Sequence, residues 1–92
     1  MILEDLIKVI DDVDDKFVIF QKSELSINSE IALFEGEDSA NVSIQKNNIN
    51  YLYLLEVDIV KEFLDGWLKR IDIKPSAQEI ALRVFQYAIN DA

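Results

Sequence analysis

The 92-residue chain has no cysteine and no histidine, and it has only two glycines and one proline. Without cysteine there is neither a disulfide framework nor a thiolate metal site, which fits a reducing cytoplasm. Without histidine the commonest acid–base group and metal ligand at neutral pH is missing. Few glycines and prolines, with half of the residues hydrophobic, argue against disorder and for a real core. Long apolar runs are lacking too. The longest, Tyr51 to Leu55, is far short of the roughly 20 residues that span a bilayer. Glu4 and Asp5 stand where a secretory signal would carry positive charge. These features predict a soluble, cytoplasmic, single domain over residues 1–92, with no cofactor and no metal.

Positive charge is scarce as well. Eighteen acids against nine lysines and arginines leave a net charge of −9. Residues 1–45 hold eleven acids and three bases, whereas residues 46–92 hold seven and six. Four aspartates, Asp11, Asp12, Asp14 and Asp15, crowd the start of the apolar run Phe17 to Phe20. Such a surface disfavours nucleic acid and anionic membrane and favours a cationic protein partner.

Hydrophobic periodicity places the elements. Ile2, Leu3, Leu6, Ile7 and Ile10 recur at helical spacing, and the aspartates close that helix. Phe17-Val-Ile-Phe20 reads as a strand buried on both faces, and Ile31-Ala-Leu-Phe34 as a second. "EGEDSAN" reads as a turn around Gly36; Val42 and Ile44 alternate with polar residues as a half-exposed strand. A tight turn at Lys46-Asn-Asn48 leads to a strand over Asn50 to Leu55, with Tyr51 and Tyr53 on one face and Leu52 and Leu54 on the other. From Glu56 the period becomes helical, with Val57, Val60, Leu64, Trp67, Leu68 and Ile71 in one stripe. Gly66 interrupts that helix, which implies close packing there. Ser76-Ala-Gln-Glu79 has capping-box spacing and opens a last helix carrying Ile80, Val84, Phe85, Tyr87, Ala88 and Ile89. The fold predicted is α+β: an antiparallel sheet of three to four strands, with one N-terminal helix and two C-terminal helices packed on it. Trp67 and Phe85 are expected in the core.

Catalytic motifs fail on spacing. A calcium loop starting at Asp12 would need an oxygen ligand at position 16 and glycine at 17, which are Lys16 and Phe17. Ser43-Ile-Gln-Lys46 matches Ser-x-x-Lys, but on a strand residues three apart point to opposite faces, and the companion motifs are absent. No enzyme activity is expected. The candidate partner-binding residues are the four aspartates, the acids Glu35, Glu37 and Asp38, and the amphipathic pair Tyr51 and Tyr53.

The segments "NYLYLLEVDIVKEFL" and "KPSAQEIALRVFQYAINDA" resemble a family of small, acidic, uncharacterised bacterial proteins. The Pro75-Ser76 entry, the Phe85/Tyr87 pair and the Asn90-Asp91-Ala92 ending carry the likeness. It implies helix, strands and then two helices, and carries no activity. In kind, the chain is similar to immunity proteins of contact-dependent toxin systems, which are often small, acidic, cysteine-poor α+β domains that neutralise basic nucleases. That likeness implies an inhibitor occluding a toxin's active-site groove. The alternatives are an acidic DNA mimic like the phage inhibitors of CRISPR effectors, or a non-catalytic scaffold domain. Salt-sensitive one-to-one binding separates the first two from the third. The sequence leaves the oligomeric state open.

Overall fold

The computed structural model describes residues 1–35 and 43–90. Its first apolar stripe winds into α1 (Leu3–Lys8), whose start is fixed by the Asp5 carboxylate accepting the Ile2 amide at 2.9 Å. The aspartates do not simply stop this helix. After Val9 the chain tightens into a 3-10 turn, Ile10–Asp12, which drives Ile10 into the core and leaves Asp11 and Asp12 in water.

Four strands follow: β1 (Phe17–Lys22), β2 (Ile31–Glu35), β3 (Ser43–Lys46) and β4 (Ile49–Glu56). They form one antiparallel sheet in the order β2-β1-β4-β3. Residues 36–42, including the turn expected at Gly36 and the acids Glu37 and Asp38, lie outside the described residues, as does Val42. The β3–β4 turn is set by Asn47 and Asn48, both at positive φ (52° and 64°), a conformation asparagine tolerates and a two-residue hairpin requires. The helices α2 (Val57–Leu68) and α3 (Ala77–Asn90) complete the α+β fold. Among the described residues no helix is long and apolar enough to cross a membrane.

The expected double burial of β1 is realised: Val18, Ile19, Phe20 and Gln21 are all buried. Ile19 faces the helices, in a core with Leu3, Leu6, Leu55, Val57, Val60 and Val84, each almost fully enclosed. Val18 and Phe20 face the other way. There Phe20 meets Phe34 and Tyr53 edge-on at 5.2 and 5.9 Å, and Phe34 meets Tyr51 at 5.5 Å. Phe34 and Tyr51 sit on strands separated by β1, opposite Val18 and Lys22, so in a flat sheet, two strand spacings across and four residues along, their backbones would lie about 16 Å apart. The sheet therefore curls around Phe20 and closes a second, aromatic cluster on the face away from the helices.

β4 departs from strict alternation. Ile19 pairs with Leu55, but Phe20 pairs with Tyr53, so Leu54 is an extra residue in a β-bulge. Leu54 and Leu55 both enter the helix-covered core.

Gln21 is the one buried polar residue among those described. Its amide donates to the Ser26 carbonyl at 2.7 Å and its carbonyl oxygen accepts the Ser26 amide at 3.1 Å. It thus replaces a strand partner for the chain leaving β1 and satisfies its own polar atoms.

Several packing expectations are corrected. Trp67 and Phe85 are only partly buried, packed on the margin of the core. Trp67 lies 6.0 Å from Phe63 and under the Arg83 guanidinium at 5.5 Å, and Phe63 stacks on Tyr87 at 4.8 Å. The helix–helix seam is therefore a half-exposed aromatic ladder, because these rings sit at the edge of the α2 and α3 stripes. Ile71 falls beyond the end of α2, and Ile89 is exposed. Gly66 is not at a close approach: a Cβ there would meet nothing within 4 Å. Of the capping box, the Glu79 amide donates to the Ser76 hydroxyl at 3.2 Å, and the return bond is absent among the described residues.

Candidate partner-binding site

The start of β1 gathers the acids. Asp14 and Asp15 lie in the turn that leads into it, and Glu35, the last residue of β2, pairs with Phe17. The end of β4 arrives at the same place, because Glu56 pairs with Val18, and Asp58 follows in the first turn of α2. Five carboxylates from three stretches of chain thus lie at one end of the sheet. Two lysines answer them. Lys16 reaches Glu35 at 3.7 Å across open solvent, and Lys61 from α2 donates to Asp15 at 2.6 Å and to the Val13 carbonyl at 2.5 Å.

Two of the four clustered aspartates have local work. Asp14 Oδ1 accepts the Lys16 amide at 2.9 Å, closing the turn into β1. Asp15 is tied to α2 through Lys61. Both carboxylates stay exposed, so these contacts leave their charge available to a partner. Asp12 is exposed and makes no ion pair among the described residues; Asp11 borders a groove on the helical side of the molecule.

The structure therefore places Asp14, Asp15 and Glu35 at the same end of the sheet and Asp11 and Asp12 in the preceding 3-10 turn, and leaves Glu37 and Asp38 outside the described residues. Tyr51 and Tyr53 lie on the aromatic face, both half-buried. Tyr53 is the nearer to the acidic end. Burial first, and then the negative charges of Glu56 and Asp58, hold its phenol above the usual tyrosine range, so it remains a neutral hydrogen-bond donor. Tyr51 is farther along, opposite Lys22.

Glu56 and Asp58 were not among the residues singled out from the sequence. They read there as the polar start of a helix, and only the pairing of β4 with β1 brings them beside the N-terminal acids. Among the described residues no three carboxylates converge closely enough to hold a metal ion. What the arrangement offers is a negatively charged edge next to half-buried tyrosine rings.

No protein-family model, curated protein or solved structure matches the chain.

Proposed function

We propose that the protein is a non-catalytic binding inhibitor whose acidic end engages a basic partner, in the manner of an immunity protein covering the substrate groove of a nuclease-type toxin. The observation that carries this reading is the placement of Asp14, Asp15, Glu35, Glu56 and Asp58 at one end of the sheet, where Lys61 pairs with Asp15 and Lys16 with Glu35. Folding holds like charges together here at a cost in self-repulsion. A surface rich in lysine and arginine, such as a nuclease uses for phosphates, relieves it. Tyr53 and Tyr51 then supply rigid, amphipathic contact area beside the charged edge.

The test is kinetic. Long-range attraction is screened over about 8 Å at physiological salt, so it acts chiefly on the association rate. Asparagine keeps the side-chain oxygen that accepts the Lys16 amide, so replacing Asp11, Asp12, Asp14 and Asp15 by Asn removes charge while sparing the turn. This variant is expected to bind a basic nuclease domain at least about tenfold more slowly at low salt, with a smaller deficit at high salt. Its thermal melt should stay within about 1 kcal/mol of the parent, since the lost Asp15–Lys61 pair is exposed on the aspartate side. Stopped-flow association at two ionic strengths measures the first and a thermal melt the second. An unchanged rate with a native melt would remove the acidic end as the partner surface.

A further inference from the structure

The helical side carries a groove of about 850 Å³ between α1, α2 and the start of α3. This size falls in the range of about 300–1,000 Å³ typical of small-molecule clefts. Its floor is aliphatic: Ile7, Ile10, Leu64, Leu68 and Ile80, with no aromatic ring. Its ionisable lining is Lys8, Lys61, Lys69 and Lys74 against Asp11 and Asp65. In a chain with twice as many acids as bases, four of the nine basic residues border this one cleft. Lys8, Lys61 and Lys69 are each paired with a carboxylate, at 3.7, 2.6 and 3.1 Å. Lys74 has no ion-pair partner among the described residues. Ile73, directly before it, is 83% exposed.

We propose that this groove binds a medium-chain fatty-acid anion, with the alkyl chain on the aliphatic floor and the carboxylate at Lys74. A floor without rings or buried polar groups offers a methylene chain contact and nothing to orient a polar body. Lys8, Lys61 and Lys69 are offset by their carboxylates, so the Lys74 ammonium sets the sign of the head group, and one such charge matches a monoanion. The groove adjoins the acidic end at the start of β1, sharing Asp11 and Lys61 with it, but its aliphatic floor and Lys74 are no part of that end.

Titration of the full chain with octanoate, decanoate and dodecanoate below their micellar concentrations, followed by amide chemical shifts, tests this. Saturable shifts should centre on Ile7, Leu64, Leu68 and Lys74, with affinity rising by up to about fourfold per methylene. Lys74→Glu, at an exposed position, should weaken decanoate by about fivefold or more and leave decanol unchanged. Leu68→Asp should abolish binding of both, with the folded spectrum as control. The proposal is overturned if decyltrimethylammonium binds as well as decanoate, or if the shifts fall on the Tyr51/Tyr53 face. It is equally overturned if no fatty acid saturates, including the case in which an acidic amphipathic peptide occupies the groove instead.

Discussion

Gln21 offers the sharpest test of how the sheet is held. Its side chain is fully enclosed, and it bonds both backbone groups of Ser26, at 2.7 and 3.1 Å. Each such bond contributes about 0.5–1.5 kcal/mol net, so Gln21→Met should cost about 1–3 kcal/mol; Ser26 is half-buried, so water can re-satisfy its amide and carbonyl. Gln21→Glu is harsher. The carboxylate still accepts the Ser26 amide, but it faces the Ser26 carbonyl without a donor and carries a charge out of water. Enclosure raises its folded pKa above the value of about 4.3 in the unfolded chain. The unfolded state then gives up its proton first, so stability is retained below that value and lost as pH rises towards the folded pKa. The difference between variant and parent should therefore be small in acid and reach about 3–5 kcal/mol at neutral pH. Urea unfolding followed by circular dichroism from about pH 4 to pH 8 reads this directly, against a total stability of roughly 5–15 kcal/mol for a domain. A Gln21→Glu variant whose deficit is flat across that range, beside a Gln21→Met variant equal to the parent, would show that the side chain swings into water and does not secure the loop.

Three further outcomes follow from the packing. Gly66→Ala should stabilise the protein by about 1 kcal/mol, since the new methyl meets nothing and the helix gains propensity; a lowered melting temperature would reveal a close neighbour there. Trp67→Ala should cost about 1.5–3 kcal/mol in chemical denaturation, about half the figure for a fully enclosed ring, because Trp67 is only partly buried; a loss of 4 kcal/mol or more would mean that it belongs to the core after all. Asn48→Ala should cost about 1–2 kcal/mol through its positive φ, and an unchanged melt would mean that the hairpin turn takes another form.

The fold was largely legible in the sequence because its signals are local. The stripe Val57, Val60, Leu64 and the enclosed run Val18 to Phe20 say helix and strand without reference to anything distant. Asn47-Asn48 announces its turn because few residues tolerate that backbone. Burial at the edges of a stripe is a different matter. Trp67, Phe85 and Ile89 have apolar side chains at helical spacing, yet how deep each sits depends on where the neighbouring helix crosses. Gly66 misled for a related reason, since a missing side chain looks the same whether space is short or abundant. The candidate site was half legible. Charge crowding around Asp11 to Asp15 is visible in one line of text, but Glu56 and Asp58 join it only through the β1–β4 pairing, a contact between segments more than thirty residues apart. The lysine-bordered groove was hidden for the same reason, its lining being drawn from three helices and the segment leading into α3.

The bulge at Leu54 has a consequence for parity. A strand counts in twos, so in a regular β4 the residues facing the same way as Tyr51 and Tyr53 would be 55 and 57. One extra backbone unit resets that count. Beyond it Leu55 turns inward beside Leu54, and Glu56 comes out on the side of Tyr53. In the unshifted count the Glu56 carboxylate would point at Val57, Val60 and their neighbours under the helices, where nothing charged answers it. A single inserted residue thus lets one strand serve two readers: an apolar interior that needs two consecutive leucines, and an outer surface that receives a tyrosine and a glutamate side by side.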